Sequence, residues 1–231
     1  MISAAVKLRI ELLGLNPMDL DLFLTENPDY RIEIYDNKLS LLQLKDKHHV
    51  FVDFNSKQLT FRSEAHLNAE LVIKAVLGKK KQATTIMDCT AGFGKDSYLL
   101  SLTGSKVTAY ENNPLMYALL KDGLKRAEIE NILLKKIDAQ RDLKTTDCEV
   151  VYIDPMYPAS KKSAKNNKHM VFLQTFVGHQ ADIAEKLFLL AKQSNAKKIV
   201  IKRPVKAAYV LDQKPTSQII GKAARFDIYA I

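Results

Sequence analysis

From Thr85 onward the sequence alternates short apolar runs with amphipathic stretches, and this alternation restricts the fold more than any other feature. Ile86 to Asp88, Lys106 to Tyr110, Ile132 to Ile137, Glu149 to Ile153 and Lys198 to Ile201 read as strands. Asp96 to Leu102, Asn113 to about Ala127 and Ala181 to Gln193 read as helices, the second capped by Asn113 with Pro114 at its first position. Strands joined through helices form a mainly parallel, doubly wound α/β sheet. Ser217 to Ile220 and Arg225 to Tyr229 can close that sheet as a terminal hairpin around Gly221.

The first 60 residues have a different pattern. Arg31 to Tyr35, Leu39 to Leu44 and Val50 to Phe54 are strand-like, with turn signals at Asp36-Asn37 and Asn55-Ser56. Residues 64–77 read as one helix with an irregular apolar face. We therefore expect a small N-terminal α+β subdomain over 1–62 and a larger α/β domain over 63–231. A chain of 231 residues suits one domain with a small appendage. Its 47% hydrophobic content supports a proper core and excludes disorder. Two cysteines, Cys89 and Cys148, exclude a disulfide scaffold and read as core residues of a reducing compartment. No apolar run approaches the ~20 residues of a membrane span. Lys7, Arg9 and Glu11 interrupt the N-terminal apolar patches, so a signal peptide is not expected. The expectation is a soluble, cytoplasmic protein without a membrane partner.

Chemistry is expected where the strands end, because open α/β sheets bind ligands at their carboxyl edge. The first strand runs into Asp88-Cys89-Thr90-Ala91-Gly92-Phe93-Gly94-Lys95-Asp96. Gly92 and Gly94 permit a tight turn and a close backbone approach to a ligand. The spacing matches neither a P-loop nor a full GxGxxG, since Ser97 takes the third glycine position. The second strand ends at Glu111-Asn112, and an acid about 20 residues beyond a glycine loop can accept hydrogen bonds from ribose hydroxyls. The third ends at Asp138-Ala139-Gln140, where a polar side chain can meet an adenine amino group. The fourth ends at Asp154-Pro155-Met156-Tyr157-Pro158. Its prolines stiffen the loop, Asp154 can accept from an exocyclic amine, and Tyr157 can stack on a base for ~1–3 kcal/mol.

Together these segments resemble a class I S-adenosylmethionine-dependent methyltransferase, and the Asp154–Tyr157 loop resembles the Asp-Pro-Pro-Tyr motif of enzymes that methylate amino groups on bases, with Met156 in place of the second proline. The match is closer to one family. The loops at 88–96, 111–114 and 151–158, with 161–164, 202–204 and 225–230, resemble the RsmJ family of 16S ribosomal RNA guanine-N2 methyltransferases. Phe51 to Phe54 and Lys74 to Val76 extend the resemblance towards the N-terminus. Where the family often carries a Gly-rich stretch with arginine, this chain has Arg62 to Asn68. The resemblance implies a Rossmann-like fold with a mainly parallel seven-stranded sheet. It implies S-adenosyl-L-methionine as cofactor and 16S ribosomal RNA or the small ribosomal subunit as partner. By resemblance, Lys95, Asp96, Glu111, Asn112, Gln140, Arg141 and Asp154 fall at cofactor positions, beside Asp88, Gly92 and Gly94 of the loop. Asp154, Pro155 and Tyr157 are the expected catalytic residues.

The net charge of +9 is concentrated. Residues 160–206 hold 11 Lys or Arg against 2 acids, whereas residues 1–60 hold 7 against 9. Lys161, Lys162, Lys165, Lys168, Lys202 and Arg203 are the expected RNA phosphate contacts. The five histidines show no metal-ligand spacing, so no metal is expected. Amino-group methylation of DNA or another RNA is the competing enzyme reading. A non-catalytic RNA-binding or ribosome-assembly protein on the same fold is the competing reading of another class. Oligomeric state is not encoded in these motifs.

Overall fold

A computed structural model describes residues 2–64, 66–79, 82–155 and 181–231. Its larger sheet has seven strands: β4 (Thr85–Asp88), β5 (Lys106–Tyr110), β6 (Ile132–Lys135), β7 (Val150–Ile153), β8 (Lys198–Pro204), β9 (Ser217–Ile220) and β10 (Ala224–Ala230). Their spatial order is β6-β5-β4-β7-β8-β10-β9. The five strands from β6 to β8 run parallel, and β10 runs antiparallel between β8 and β9. The chain therefore winds outward from β4 through β5 to β6, then crosses back to lay β7 on the other side of β4. This reversal opens a crevice beyond the carboxyl ends of β4 and β7, the place where such sheets bind ligands. The expected doubly wound sheet and its terminal hairpin are both present. Every residue of β7 is buried, as a central strand covered on both faces requires.

Helices cover both faces. α5 (Lys95–Ser101) follows the glycine loop, and α6 (Pro114–Arg126) follows β5. Asn113 Oδ1 accepts from the N–H groups of Leu115 and Met116 at 3.0 and 3.1 Å, which fixes where α6 begins. A further helix runs from Ala181 to Ala191.

The N-terminal part adds a three-stranded antiparallel sheet of β1 (Tyr30–Tyr35), β2 (Lys38–Gln43) and β3 (His48–Val50). Asp36 and Asn37, with φ of 47° and 57°, make the two-residue turn between β1 and β2. Two helices precede it, α1 (Ala4–Leu12) and α2 (Pro17–Glu26), neither of which the sequence pattern indicated. The third strand also starts earlier than expected. Val52 and Phe54 lie beyond it in irregular chain, where they are buried against α6. The single helix expected over 64–77 is three pieces: α3 (Lys57–Glu64), a 3-10 turn at Leu67–Ala69 and α4 (Leu71–Leu77). Arg62 of α3 forks onto Glu70 at 2.8 and 2.7 Å, which holds α3 to the residue just before α4 across the break.

One buried cluster runs from Val6, Ile10 and Leu41 through Val52 and Phe54 to Leu119 and Leu120 of α6. Asp122, fully buried on α6, joins the same layers. It accepts from Arg9 of α1 at 2.6 Å, from Arg126 at 2.7 Å and from the N–H of Leu39 in β2 at 3.1 Å. Arg126 in turn donates to the carbonyl of Val52. The small sheet thus packs as an added layer over α6. Gly123 makes room for it: a Cβ there would lie 2.5 Å from Val52 Cγ1.

Candidate active site

The loop from Asp88 to Gly94 turns the chain from β4 into α5. Gly94 sits at φ 69°, a left-handed conformation, and a Cβ on it would meet Leu120 Cδ1 at 2.5 Å. Only glycine satisfies both conditions. Gly92, at φ 53°, faces open space, since a Cβ there would meet nothing nearer than the Thr90 carbonyl at 4.0 Å. The backbone of the loop is therefore exposed towards the crevice at that point.

Asp88 faces inward. Its carboxylate accepts from the N–H of Thr90 at 3.0 Å and from Ser97 Oγ at 2.5 Å, tying the loop to α5. It is 2% exposed, and burial pushes its carboxyl up to about 7 despite those two donors. Glu111, at the end of β5, is also buried. It accepts from the N–H of Gly92 at 3.0 Å and of Asn113 at 2.8 Å, so it couples the glycine loop to the start of α6. Burial raises its carboxyl above the usual range, against the pull of its backbone donors. Each carboxylate oxygen has two lone pairs, so these bonds leave acceptor capacity for a ligand hydroxyl.

Across the crevice, β7 and β8 pair in parallel with Ile153 opposite Ile201. The residue after each is Asp154 and Lys202, and register brings them side by side. Lys202 Nζ donates to Asp154 Oδ2 and to Asp96 Oδ2, both at 2.8 Å. Tyr152, two residues before Asp154, donates its hydroxyl to the same Asp96 oxygen at 2.6 Å. The N–H of Asp154 donates to Thr90 Oγ1 at 2.7 Å, which ties the end of β7 to the glycine loop. Burial works against the charge on Asp96, but Lys202 and the Tyr152 hydroxyl outweigh it and hold Asp96 below the usual range. At Asp154 burial wins, aided by Asp96, and its carboxyl is raised although Lys202 opposes this. The ammonium of Lys202 stays protonated, because the two carboxylates overcome its burial.

The structure gathers Asp88, Gly92, Gly94, Asp96, Glu111 and Asp154 along one sheet edge. Lys95 and Asn112 are exposed there, at the starts of α5 and of the turn into α6. Gln140 begins a short helix after β6 and folds back onto Asp138, with Nε2 to Oδ2 at 2.9 Å, while Arg141 beside it is exposed. Pro155 is the last residue described at the fourth strand end and is buried. Tyr157, Lys161, Lys162, Lys165 and Lys168 lie outside the described residues.

Lys202, expected to contact RNA phosphate, has its ammonium on Asp96 and Asp154. Its ammonium points into the carboxylate cluster, where its charge is already matched. Arg203 is half-buried, and strand alternation puts it on the opposite face of β8. Thr90, Ser97 and Tyr152 were not singled out from the sequence. Tyr152 had one signal, its spacing of two from Asp154 on the same face of β7. Thr90 and Ser97 had none beyond lying in or beside the glycine loop. Among the described residues, no group of three or more His, Cys, Asp or Glu is placed to hold a metal ion. No helix among them is long and apolar enough to cross a membrane.

A reversed α/β sheet with an antiparallel β10, a glycine loop after its first strand and acids at three strand ends defines a Rossmann-like class I methyltransferase. The comparisons agree. Residues 17–231 match a family model described as "Putative SAM-dependent methyltransferase". A protein of Francisella tularensis subsp. holarctica named Ribosomal RNA small subunit methyltransferase J is 35% identical over 229 residues, covering 92% of this chain and 95% of its own. A protein of the same name from Francisella philomiragia is 34% identical, covering 90% and 91%. The crystal structure of a SAM-dependent methyltransferase from Neisseria gonorrhoeae superposes with a TM-score of 0.71 at 28% identity, covering 99% of this chain and 92% of that one. The chain belongs to this family of S-adenosylmethionine-dependent methyltransferases, as its motifs suggested, and its cofactor is S-adenosyl-L-methionine.

The residues present fit that cofactor. Glu111 offers acceptors for ribose hydroxyls beside the open backbone at Gly92. Asp96 and Asp154 offer two carboxylates around a single ammonium, a set of groups compatible with a sulfonium cation.

Proposed function

We propose that this protein methylates the exocyclic N2 of a guanine in small-subunit ribosomal RNA. The observation that carries the reading is the placement of Asp154-Pro155 at the crevice, anchored to the glycine loop through Thr90 and to Asp96 through Lys202. The names of the Francisella relatives supply the substrate class.

S-adenosylmethionine supplies an electrophilic methyl group when bound, so the protein's task is mainly positioning. Gly92, Gly94, Lys95, Asp96, Glu111, Asn112, Gln140 and Arg141 form the cofactor side of the crevice, with Asp88 holding the loop from beneath. Asp154 works at the substrate side. A guanine amine is a weak nucleophile because its lone pair is delocalised into the ring. Asp154 Oδ1 accepts one N–H of that amine, which turns the nitrogen lone pair towards the cofactor side. Pro155 stiffens the loop that carries this acceptor, and Tyr157 stacks on the base after it leaves its helix or loop. Arg203, Lys161, Lys162, Lys165 and Lys168 are the phosphate contacts in this reading, giving binding that weakens steeply with salt.

The test is methyl transfer from labelled cofactor to small subunits lacking the modification, followed by mapping of the labelled base. Label on a guanine N2 supports the proposal, and label on another atom or on DNA alone overturns it. Asp154→Ala is expected to lower turnover by at least ~10²-fold, a typical loss for a group that orients the reacting atoms. Wild-type turnover in that variant would remove Asp154 from the mechanism.

A further inference from the structure

We infer that Lys202 is a positioning residue of the methyl-transfer site: its ammonium clamps Asp96 and Asp154 into one charged unit that keeps the crevice ready for the cofactor's cationic end. This rests on the proposed use of Asp154 as the substrate acceptor, and it gives Lys202 a role other than the phosphate contact that its motif suggests.

The geometry is specific. Asp96 lies in the first turn of α5, Asp154 follows the last residue of β7 and Lys202 lies on β8, so three separate elements converge at this edge. Both N–O distances are 2.8 Å, and the lysine side chain is 29% exposed. Two of its three donors are therefore spent on carboxylates. Turning to an RNA phosphate would strand two partly buried acids without their cation. The lysine is also a compact point charge at the end of a flexible stem, which lets one cation serve two carboxylates on different elements.

Removal of the ammonium has a defined consequence. Among the described residues, the charged and titratable groups facing the cluster are Asp88 of β4, Lys95 and Asp96 of α5, Tyr152 and Asp154 at β7, Lys202 of β8 and Arg62 of α3. Without Lys202, Asp88, Asp96 and Asp154 face only Lys95 and Arg62, and Arg62 is already forked onto Glu70. At least one acid then takes up a proton at neutral pH. The proton makes up for the lost cation, so the net charge is unchanged, but the ionised pair that Lys202 held in place is broken; burial already disfavours the charges of Asp88 and Asp154.

The experiment measures cofactor binding by calorimetry without RNA, as a function of pH, together with the salt dependence of RNA binding. Lys202→Met is expected to bind S-adenosylmethionine at least tenfold more weakly at neutral pH and to recover affinity as pH rises, because its acidic midpoint moves up. Lys202→Arg keeps the charge and should hold the midpoint near wild type. RNA affinity and its salt slope should not change in either variant. If Lys202→Met instead leaves cofactor binding and its midpoint untouched while the RNA salt slope falls by about one, Lys202 is a phosphate contact and the inference is wrong. Should Lys202→Met fail to fold, the same substitution in an Asp96→Asn background removes one cation and one anion together. There the midpoint must rise relative to Asp96→Asn alone, and an unmoved midpoint overturns the inference. None of these readouts involves turnover. Failure of the guanine-N2 reading would therefore appear separately, as an active cofactor site without the expected product.

Discussion

Asp88 and Asp96 are only eight residues apart, yet their surroundings drive their carboxyls in opposite directions. Asp88 meets only neutral donors, and burial raises it from 3.8 to about 7. Asp96 meets Lys202 and is held low. The rise at Asp88 carries a sign for stability. A carboxyl with a higher folded than unfolded pKa binds its proton more tightly in the folded state. Its contribution is most favourable below the unfolded value and drains away as pH climbs towards the folded value. The cofactor-free protein should therefore lose stability from this group between about pH 4 and about pH 7. Asp88→Asn should flatten that part of the curve, read as melting temperature at about pH 4.5 and about pH 7.5. Parallel curves for the two proteins would contradict the assignment. At this scale the sequence exposed the acids at the strand ends and the glycines between them. It did not expose who neutralises whom. Lys202 lies 106 residues from Asp96 and 48 from Asp154, and no local pattern connects residues so far apart.

α6 shows how one element can serve two layers. Its start is written locally, in Asn113 and Pro114. Its packing depends on Gly123, in a helical interior where alanine would normally be preferred by ~1 kcal/mol. Here a Cβ would lie 2.5 and 2.8 Å from the Cγ1 and Cβ of Val52, a branched side chain with little freedom to move. Overpacking of that kind costs ~1–3 kcal/mol, enough to exceed the propensity gain. Gly123→Ala should therefore lower the urea midpoint, and an unchanged or higher midpoint would show that Val52 can give way. Other elements were less legible. The break between α3 and α4 follows from the Arg62–Glu70 fork, a tertiary contact with no periodic signature. α1 and α2 are short, and their weak apolar faces become meaningful only when Val6, Ile10 and Leu20 find partners.

For the whole molecule, the question is whether the N-terminal layer can be dispensed with. The pattern change near residue 62 suggested a separate unit, but the packing joins the two parts. Val6, Ile10, Leu41, Val52 and Phe54 share a cluster with Leu119 and Leu120, and each large apolar side chain is worth ~1.5–3 kcal/mol of burial. Loss of the layer would also take Arg9 and Leu39 from the buried Asp122. Those terms together are comparable with the ~5–15 kcal/mol by which domains are usually stable. A fragment of residues 63–231 should therefore aggregate or melt well below the full chain. A cooperative transition near that of the full chain would show that the α/β part stands alone.

Strand-helix alternation, the caps, the glycine loop and the acids at the strand ends could all be read from the chain, because each depends on neighbours within a few residues. They suffice for a doubly wound sheet and for the edge on which its chemistry sits. The order of the strands brought Lys202 between Asp96 and Asp154, set Thr90 under Asp154 and laid the small sheet on α6. Those outcomes depend on register and on buried charge. Both are properties of residues that meet only when distant strands pair, so a lysine whose sign suggested RNA acquired its partners from the fold.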